Sequence, residues 1–249
     1  MSDPEAAPEA DAARAAELSA NLAALRARID AACAAADRPA DGVTLVAVTK
    51  FFPASDVVAL SRLGVSDVGE NRDQEAAPKA ARVAALGVSM TWHFVGQLQA
   101  NKAASVVSYA DVVHSVDRPG LVSALSRRAV AAGRDEPGRA LRCLIQVSLD
   151  GAAGRGGAQP ADVPALADAI AAAGGLALDG VMAVAPLGAA PRPAFARLAD
   201  IADMLRAAHP GARAISAGMS SDLEDAIAEG ATLVRIGTAL LGGRRAFVR

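Results

Sequence analysis

The sequence predicts an α/β chain folded as a single (β/α)8 barrel of parallel strands, a TIM barrel, with an extra helix at its N-terminus. Three observations predict it. Eight short runs rich in Val, Ile and Leu alternate with Ala/Leu-rich helical stretches along 249 residues, and strands alternating with helices pair in parallel through right-handed crossovers. Several of these runs are apolar at consecutive positions, as strands covered on both faces are. Nothing in them looks like a device for protecting a sheet edge, which favours closure over an open sheet.

Taken in order, residues 1–10 are Pro/Ala/Glu-rich and are expected to be disordered, leaving residues 11–249 as the one barrel domain. From Asp11 to Ala36 the leucines and isoleucine at 18, 22, 25 and 29 recur at helical spacing, and Asp37-Arg38-Pro39 stops the helix. The strand runs cover residues 43–49, 65–69, 91–95, 112–116, 141–149, 180–184, 214–218 and 233–237. Helices are expected between them at 54–63, 73–86, 98–108, 119–132, 160–173, 193–208 and 222–229. The GAAGRGG segment at 151–157, just after the fifth strand, is the one flexible-looking stretch.

Composition excludes several classes of function. With 25 Lys+Arg against 27 Asp+Glu and a net charge of -2, no basic face suited to nucleic acid is expected. One Trp, one Tyr and five Phe leave the core to Val, Leu, Ile and Ala. Cys33 and Cys143 are too few for a disulfide framework or a Cys-rich zinc site, which fits a reducing cytosol. The opening residues are acidic without an apolar run, unlike a secretory signal. The longest stretch without charge, between Arg82 and Lys102, contains Ser89, Thr91, His93, Gln97 and Gln99, so it is no membrane span. A soluble cytoplasmic protein is expected. There is no HExxH motif or Cys/His cluster, and 151–157 is neither GxGxxG nor Walker A.

In a barrel of this kind the active face lies at the C-terminal ends of the strands, and polar residues gather there. Lys50 ends the first strand and is followed by Phe51-Phe52-Pro53. A lysine in such surroundings is expected to be partly desolvated, which favours the neutral amine that forms a Schiff base; an exposed lysine snorkelling into solvent is the plainer alternative. After the seventh strand, Gly218 and Ser220-Ser221-Asp222 precede a helix; after the eighth come Gly237-Thr238 and Gly242-Gly243. These loops hold the usual phosphate position of the fold, though capping alone would also place Ser, Asp and Gly there. Alternation along the eighth strand points Arg235 into the barrel, where it needs an acceptor, either a protein carboxylate or a ligand's ring nitrogen. Asn71 and His93 either bond a ligand's ring hydroxyl or satisfy loop backbone. His114 and His209 have no partner that the sequence names.

The segments VAVTK (46–50), GENR (69–72), WHFVGQLQANK (92–102), HSVD (114–117), SAGMSSD (216–222) and VRIGTALLGGR (234–244) resemble the YggS/PROSC family of pyridoxal phosphate homeostasis proteins. The match runs in order from about residue 20 to the C-terminus, and the tandem GMSSD and RIGT motifs are specific to this family. The resemblance implies a fold-type III barrel, similar to the N-terminal domain of alanine racemase, that carries pyridoxal 5′-phosphate (PLP), a vitamin B6 cofactor. It makes Lys50 the Schiff-base lysine. It places Ser216, Gly218, Met219 and Ser220 around the phosphate from the seventh strand, and Gly237 and Thr238 around it from the eighth. It sets Arg235 against the pyridine nitrogen and Asn71 near the ring. The chain departs from the commoner family wording at Gln97, where proline is frequent, at Ala217, where methionine is frequent, and in SLDGAAGRGG after the fifth strand, which lacks a lysine.

An arginine at the pyridine nitrogen disfavours ring protonation and so weakens the ring as an electron sink. A racemase also needs a second acid/base group, which in alanine racemase is a tyrosine from an additional domain. Here Tyr109 is the only tyrosine, in the helix after the third strand. The expectation is therefore a PLP-holding monomer of intracellular PLP homeostasis, without robust turnover, which releases the cofactor to apo-enzymes. The alternatives are a minimal PLP-dependent amino-acid racemase and an aldolase-like barrel using Lys50 on a sugar phosphate.

Overall fold

The computed structural model describes residues 6–150 and 156–243, and of residues 6–11 the backbone alone. Eight parallel strands close into a barrel in sequence order: β1 (Thr44–Val48), β2 (Asp67–Glu70), β3 (Thr91–Phe94), β4 (Val112–Val116), β5 (Leu141–Gln146), β6 (Leu176–Met182), β7 (Ala214–Ser216) and β8 (Leu233–Ile236). Closure is made by β1 and β8, in register from Thr44 with Leu233 to Ala47 with Ile236. The helices are α1 (Ala6–Ala35), α2 (Ala54–Arg62), α3 (Asp73–Ala85), α4 (Ala103–Tyr109), α5 (Pro119–Ala131), α6 (Val163–Ala171), α7 (Pro191–Ala208), α8 (Leu223–Ala228) and α9 (Thr238–Leu241).

Most elements lie close to where hydrophobic spacing puts them; β5 and β7 end at Gln146 and Ser216, before the expected 149 and 218, helix α9 is additional to those expected, and three further differences have local reasons. Helix α1 begins at Ala6, so part of the segment expected to be disordered, residues 1–10, is helical; residues 1–5 lie outside the described residues. Strand β6 begins four positions before the expected 180, because Asp179, which reads as an interruption, sits half-buried with Arg142 of β5 at 3.9 Å. Helices α4 and α6 each start later than spacing suggests, after a 3₁₀ turn at Ala100–Lys102 and at Pro160–Asp162. Of the 151–157 segment, residues 151–155 lie outside the described residues.

Apolar side chains on the outer face of the sheet pack against the helices in two clusters. One joins β4 to β7 with α4 to α7, the other joins β1, β2 and β8 with α1, α2, α3, α8 and α9. Helix α1 supplies Leu18, Leu22, Leu25, Ile29 and Cys33 to the second cluster, and each buried leucine contributes roughly 1.5–3 kcal/mol. It is also fastened by polar bonds to α9, Arg14 and Asn21 donating to the carbonyls of Leu241 and Leu240 at 3.0 Å, and just past its end Arg38 donates to the Ile227 carbonyl of α8 at 2.7 Å. The extra helix thus stands behind the loops that follow β7 and β8.

Candidate functional site

Lys50 follows β1 directly and is held by its neighbours. The Thr49 carbonyl accepts from Lys79 Nζ of α3 at 2.8 Å, and the Thr49 hydroxyl donates to Glu70 Oε1 at 2.6 Å. Lys79 also donates to Glu70 Oε1 at 2.6 Å and Glu75 Oε1 at 3.0 Å. On the other side of Lys50, the Phe51 N–H donates to the same Glu75 oxygen. Phe51 adopts φ of +70°, a left-handed conformation that is strained for an aromatic residue. The clamp holds the backbone there against that strain. Burial pushes the Glu70 carboxyl up from its ordinary range, with Lys79 and Thr49 pulling the other way. Lys50 itself is half-buried and, among the described residues, makes no hydrogen bond or ion pair.

Beside it in the closed barrel is the end of β8. Gly237 packs against Val48, two residues before Lys50; a Cβ at Gly237 would lie 3.4 Å from the Val48 carbonyl oxygen. The loops after β7 and β8 are tied together, the Ala239 N–H donating to Ser220 Oγ at 3.2 Å. From behind, Arg28 of α1 donates to the Ser220 carbonyl at 3.1 Å and to Glu224 at 2.9 Å. Gly218 turns at φ of +89°, and a Cβ there would come within 2.7 Å of the Ala226 Cβ. Among the described residues the N–H groups of Ser220, Ser221, Gly237 and Thr238 have no protein acceptor, so these two joined loops carry four amides free to bind an anion.

Arg235 is buried and points into the barrel. It donates to Ser216 Oγ at 2.6 Å and to the Ala183 carbonyl at 2.9 Å. Among the described residues no carboxylate touches it, and burial pushes its pKa down to about 10, with Asp222 raising it from farther away, so the guanidinium stays charged at neutral pH. A charge buried without a counter-ion is costly unless something else meets it.

These features sit at one end of the barrel, that of the strand C-termini. A cavity of about 830 Å³ with Asp111, Arg134 and Arg142 in its wall opens at the opposite end and takes no part in them.

The family described as alanine racemase, N-terminal domain, matches residues 20–245. A pyridoxal phosphate homeostasis protein of Mycobacterium bovis is 46% identical over 244 residues, 93% of this chain and 95% of that protein. The chain belongs to the YggS/PROSC family of pyridoxal phosphate homeostasis proteins. The Escherichia coli protein of the same name is 36% identical over 232 residues, covering 90% of this chain and 95% of its own. PipY of Synechococcus elongatus, solved with PLP bound, has a TM-score of 0.78 at 35% identity and covers 90% of this chain and all of its own, 100%. Alanine racemase of Corynebacterium glutamicum shares the fold, with a TM-score of 0.64 at 14% identity over 91% of this chain and 60% of its own.

Within this family member the structure sorts the residues that the motifs single out. Lys50, Gly218, Ser220, Gly237 and Thr238 gather at the strand ends. Ser216, which the motif places around the phosphate, has its hydroxyl wholly buried between Arg235 and His114. Met219 has a half-exposed side chain, and its amide is already taken by Asp222 Oδ1 at 2.6 Å. Asn71 is exposed, and its carbonyl oxygen lies 2.1 Å from where a Cβ of Gly96 would be, so glycine alone lets the β2 and β3 loops pass.

Other contacts have no signal, or only a weak one, in the sequence. Glu70, Glu75 and Lys79 form the clamp on Lys50; the i, i+4 spacing of Glu75 and Lys79 was the available signal. His93 and His114 are buried together inside the barrel, Nδ1 of His93 against Nε2 of His114 at 2.8 Å. His209, by contrast, is a surface partner of Asp168 at 3.0 Å.

Proposed function

We propose that this chain binds PLP at the mouth of the barrel through Lys50 and passes it to apo-enzymes, rather than turning over amino acids. The observation that carries this reading is Lys50: an amine between two clamped backbone groups, without a protein partner among the described residues, beside loops with four free amides. When bound, PLP supplies an aldehyde that condenses reversibly with an amine. The chain's residues fit the group. The amides of Ser220, Ser221, Gly237 and Thr238 suit its phosphate, with Gly218 giving the loop its turn, and Arg235 carries a buried charge suited to an unprotonated ring nitrogen. PLP in the PipY structure and the names of the relatives support the same assignment.

The carrier reading rests on what stands around the lysine. Turnover as a racemase needs a second acid/base group across the substrate. Tyr109, the one tyrosine, packs in the helix layer against both apolar clusters, and its buried hydroxyl has no hydrogen-bond partner among the described residues. Burial pushes its pKa well up, with the nearby charges of Asp73 and Glu70 adding to the shift. Such a phenol is poorly suited to exchange protons with a ligand.

The test is the visible absorbance of the purified protein reconstituted with PLP. A band is expected from wild type and is expected to be absent from Lys50→Ala; no band from wild type would refute the proposal. Incubation with L- or D-alanine is expected to give no racemisation near the ordinary enzymatic scale of about 1 per second or more, and turnover at that rate would make the protein a racemase instead.

A further inference from the structure

A single line of hydrogen bonds crosses the barrel interior. Asp67 Oδ1 on β2 meets His93 Nε2 on β3 at 2.9 Å, and His93 Nδ1 meets His114 Nε2 on β4 at 2.8 Å. His114 Nδ1 then reaches across to Ser216 Oγ on β7 at 2.9 Å, which accepts from Arg235 on β8 at 2.6 Å. His114 and Ser216 are wholly buried, His93 nearly so. We propose that Asp67, His93 and His114 are positioning residues for the ring end of the PLP site, because they decide where Ser216 points its one hydroxyl proton. This deepens the PLP reading and rests on it for the identity of the ligand.

The proton count leaves two arrangements. Arg235 can only donate, so Ser216 Oγ always accepts from it. In the first arrangement Ser216 donates to a bare His114 Nδ1, His114 donates from Nε2 to a bare His93 Nδ1, and His93 donates from Nε2 to the Asp67 carboxylate. Every donor then points from Arg235 toward Asp67, and both histidines are neutral. In the second, His114 carries its proton on Nδ1 and donates to Ser216, whose own proton turns away from His114. His114 Nε2 must then accept from His93 Nδ1, so His93 holds protons on both nitrogens, paired with Asp67.

The two arrangements differ by one proton, and the balance is simple. With one proton taken up from solvent, Ser216 is reprotonated as it passes its own proton to His114 Nδ1. His114 passes its Nε2 proton to His93 Nδ1, and the charge comes to rest on His93 beside Asp67. His114 is neutral in both, in keeping with burial and the nearby positive charges of His93, Arg235 and Arg142, which hold its pKa well below the ordinary value. The groups facing the charged end are Asp67, Asp179 of β6 and Arg142 of β5, with Ser66 donating to Asp67 at 2.6 Å. Asp67 is the end that solvent reaches: its side chain is 16% exposed and borders a cavity of about 380 Å³ on the barrel floor, with Arg26, Asp30 and Ser66. Arg235, the charge at the ring end of the site, thus rests on a buried Ser216 hydroxyl whose proton direction is tied to protonation two residues deeper in the barrel.

Nitrogen-15 NMR of the ligand-free protein tests the proton order. At pH 8 the His114 ring is expected to be neutral and protonated on Nε2; a His114 protonated on Nδ1 at that pH would overturn the proposal. On acidification the His114 proton is expected to move to Nδ1 in one transition while the ring stays neutral, in keeping with its lowered pKa. A His114 ring protonated on both nitrogens would also overturn it. Asp67→Asn keeps an oxygen for His93 but removes the charge, and is expected to move that transition down by about one pH unit or more; an unmoved transition counts against the relay. If that variant does not fold, the wild-type transitions alone decide the question. The visible absorbance of PLP-loaded wild type is expected to change with the same midpoint, and a spectrum flat through it would overturn the link to the ligand. Failure of wild type to take up PLP would refute the functional reading instead, while the ligand-free spectra would still decide the proton order.

Discussion

The ammonium of Lys79 donates to the carbonyl of Thr49 at 2.8 Å while paired with the buried Glu70 at 2.6 Å. One side chain of the helix layer therefore fixes the residue before Lys50 and neutralises a carboxylate with no exposed surface. Lys79→Met is expected to destabilise the protein by about 3–5 kcal/mol, the scale for stranding one member of a buried pair. The loss is expected to be larger at pH 8 than at pH 5. Without Lys79 the folded Glu70 pKa rises still further above its unfolded value of about 4.3, so stability falls as pH climbs above that value. Urea denaturation at the two pH values measures it, and adding Glu70→Gln is expected to restore part of the loss.

The loop glycines differ in how much they resist a side chain. At Gly218 a Cβ meets Ala226 Cβ at 2.7 Å and Leu223 Cα at 3.2 Å, with φ at +89°. At Gly237 the nearest atom is 3.4 Å away and φ is -108°. Gly218→Ala is expected to cost about 1–3 kcal/mol through strain and displacement of α8, and Gly237→Ala less than about 1 kcal/mol. Denaturation midpoints of the two variants would show the order.

Legibility in the sequence followed the range of the interaction. Strand β4 was readable to the residue because Val112, Val113 and Val116 frame the run and Asp117-Arg118-Pro119 ends it, whereas β6 was misplaced because Asp179 finds its partner on another strand. Lys50, Gly218 and Gly237 were readable because a barrel sets its chemistry at strand ends, a positional rule that local pattern reveals. The interior line was not readable. His114 and Ser216 are 102 residues apart, and only closure of the barrel brings β4 to face β7. No local spacing distinguishes a histidine with such a partner from one without, so His93 kept two readings and His114 had none.

Helix α1 makes its own contribution to the anion loops. Arg28 holds the Ser220 carbonyl at 3.1 Å and pairs with Glu224, both charges being well exposed. Exposed pairs contribute little to stability, so Arg28→Ala is expected to change it by less than about 1 kcal/mol. Affinity for PLP is expected to fall about two- to fivefold, the equivalent of one hydrogen bond's net contribution of ~0.5–1 kcal/mol. Titration followed by visible absorbance measures that change, and an unaltered affinity would show that the loop holds its shape without the helix.

The buried histidine at 114 gives the fold an acid sensitivity of known sign. Burial, reinforced by His93 and Arg235, keeps its ring neutral well below the ordinary pKa of 6.5, while the unfolded chain protonates there normally. Below about pH 6.5 the unfolded state therefore binds a proton that the folded state refuses, and stability falls as acid is added, by up to about 1.4 kcal/mol per pH unit for this one group. Above that pH the contribution is flat. Asp67 acts lower down: although its burial works upward, hydrogen bonds from His93 and Ser66 hold its carboxyl below the ordinary value, so the stability it adds is lost only as pH falls below about 3.9. His114→Gln can keep hydrogen bonds to both neighbours without titrating. Its unfolding free energy is expected to be lower than wild type at pH 7.5 yet to decline less between pH 6.5 and pH 5, and parallel curves for the two proteins would show that residue 114 is not the source of the slope.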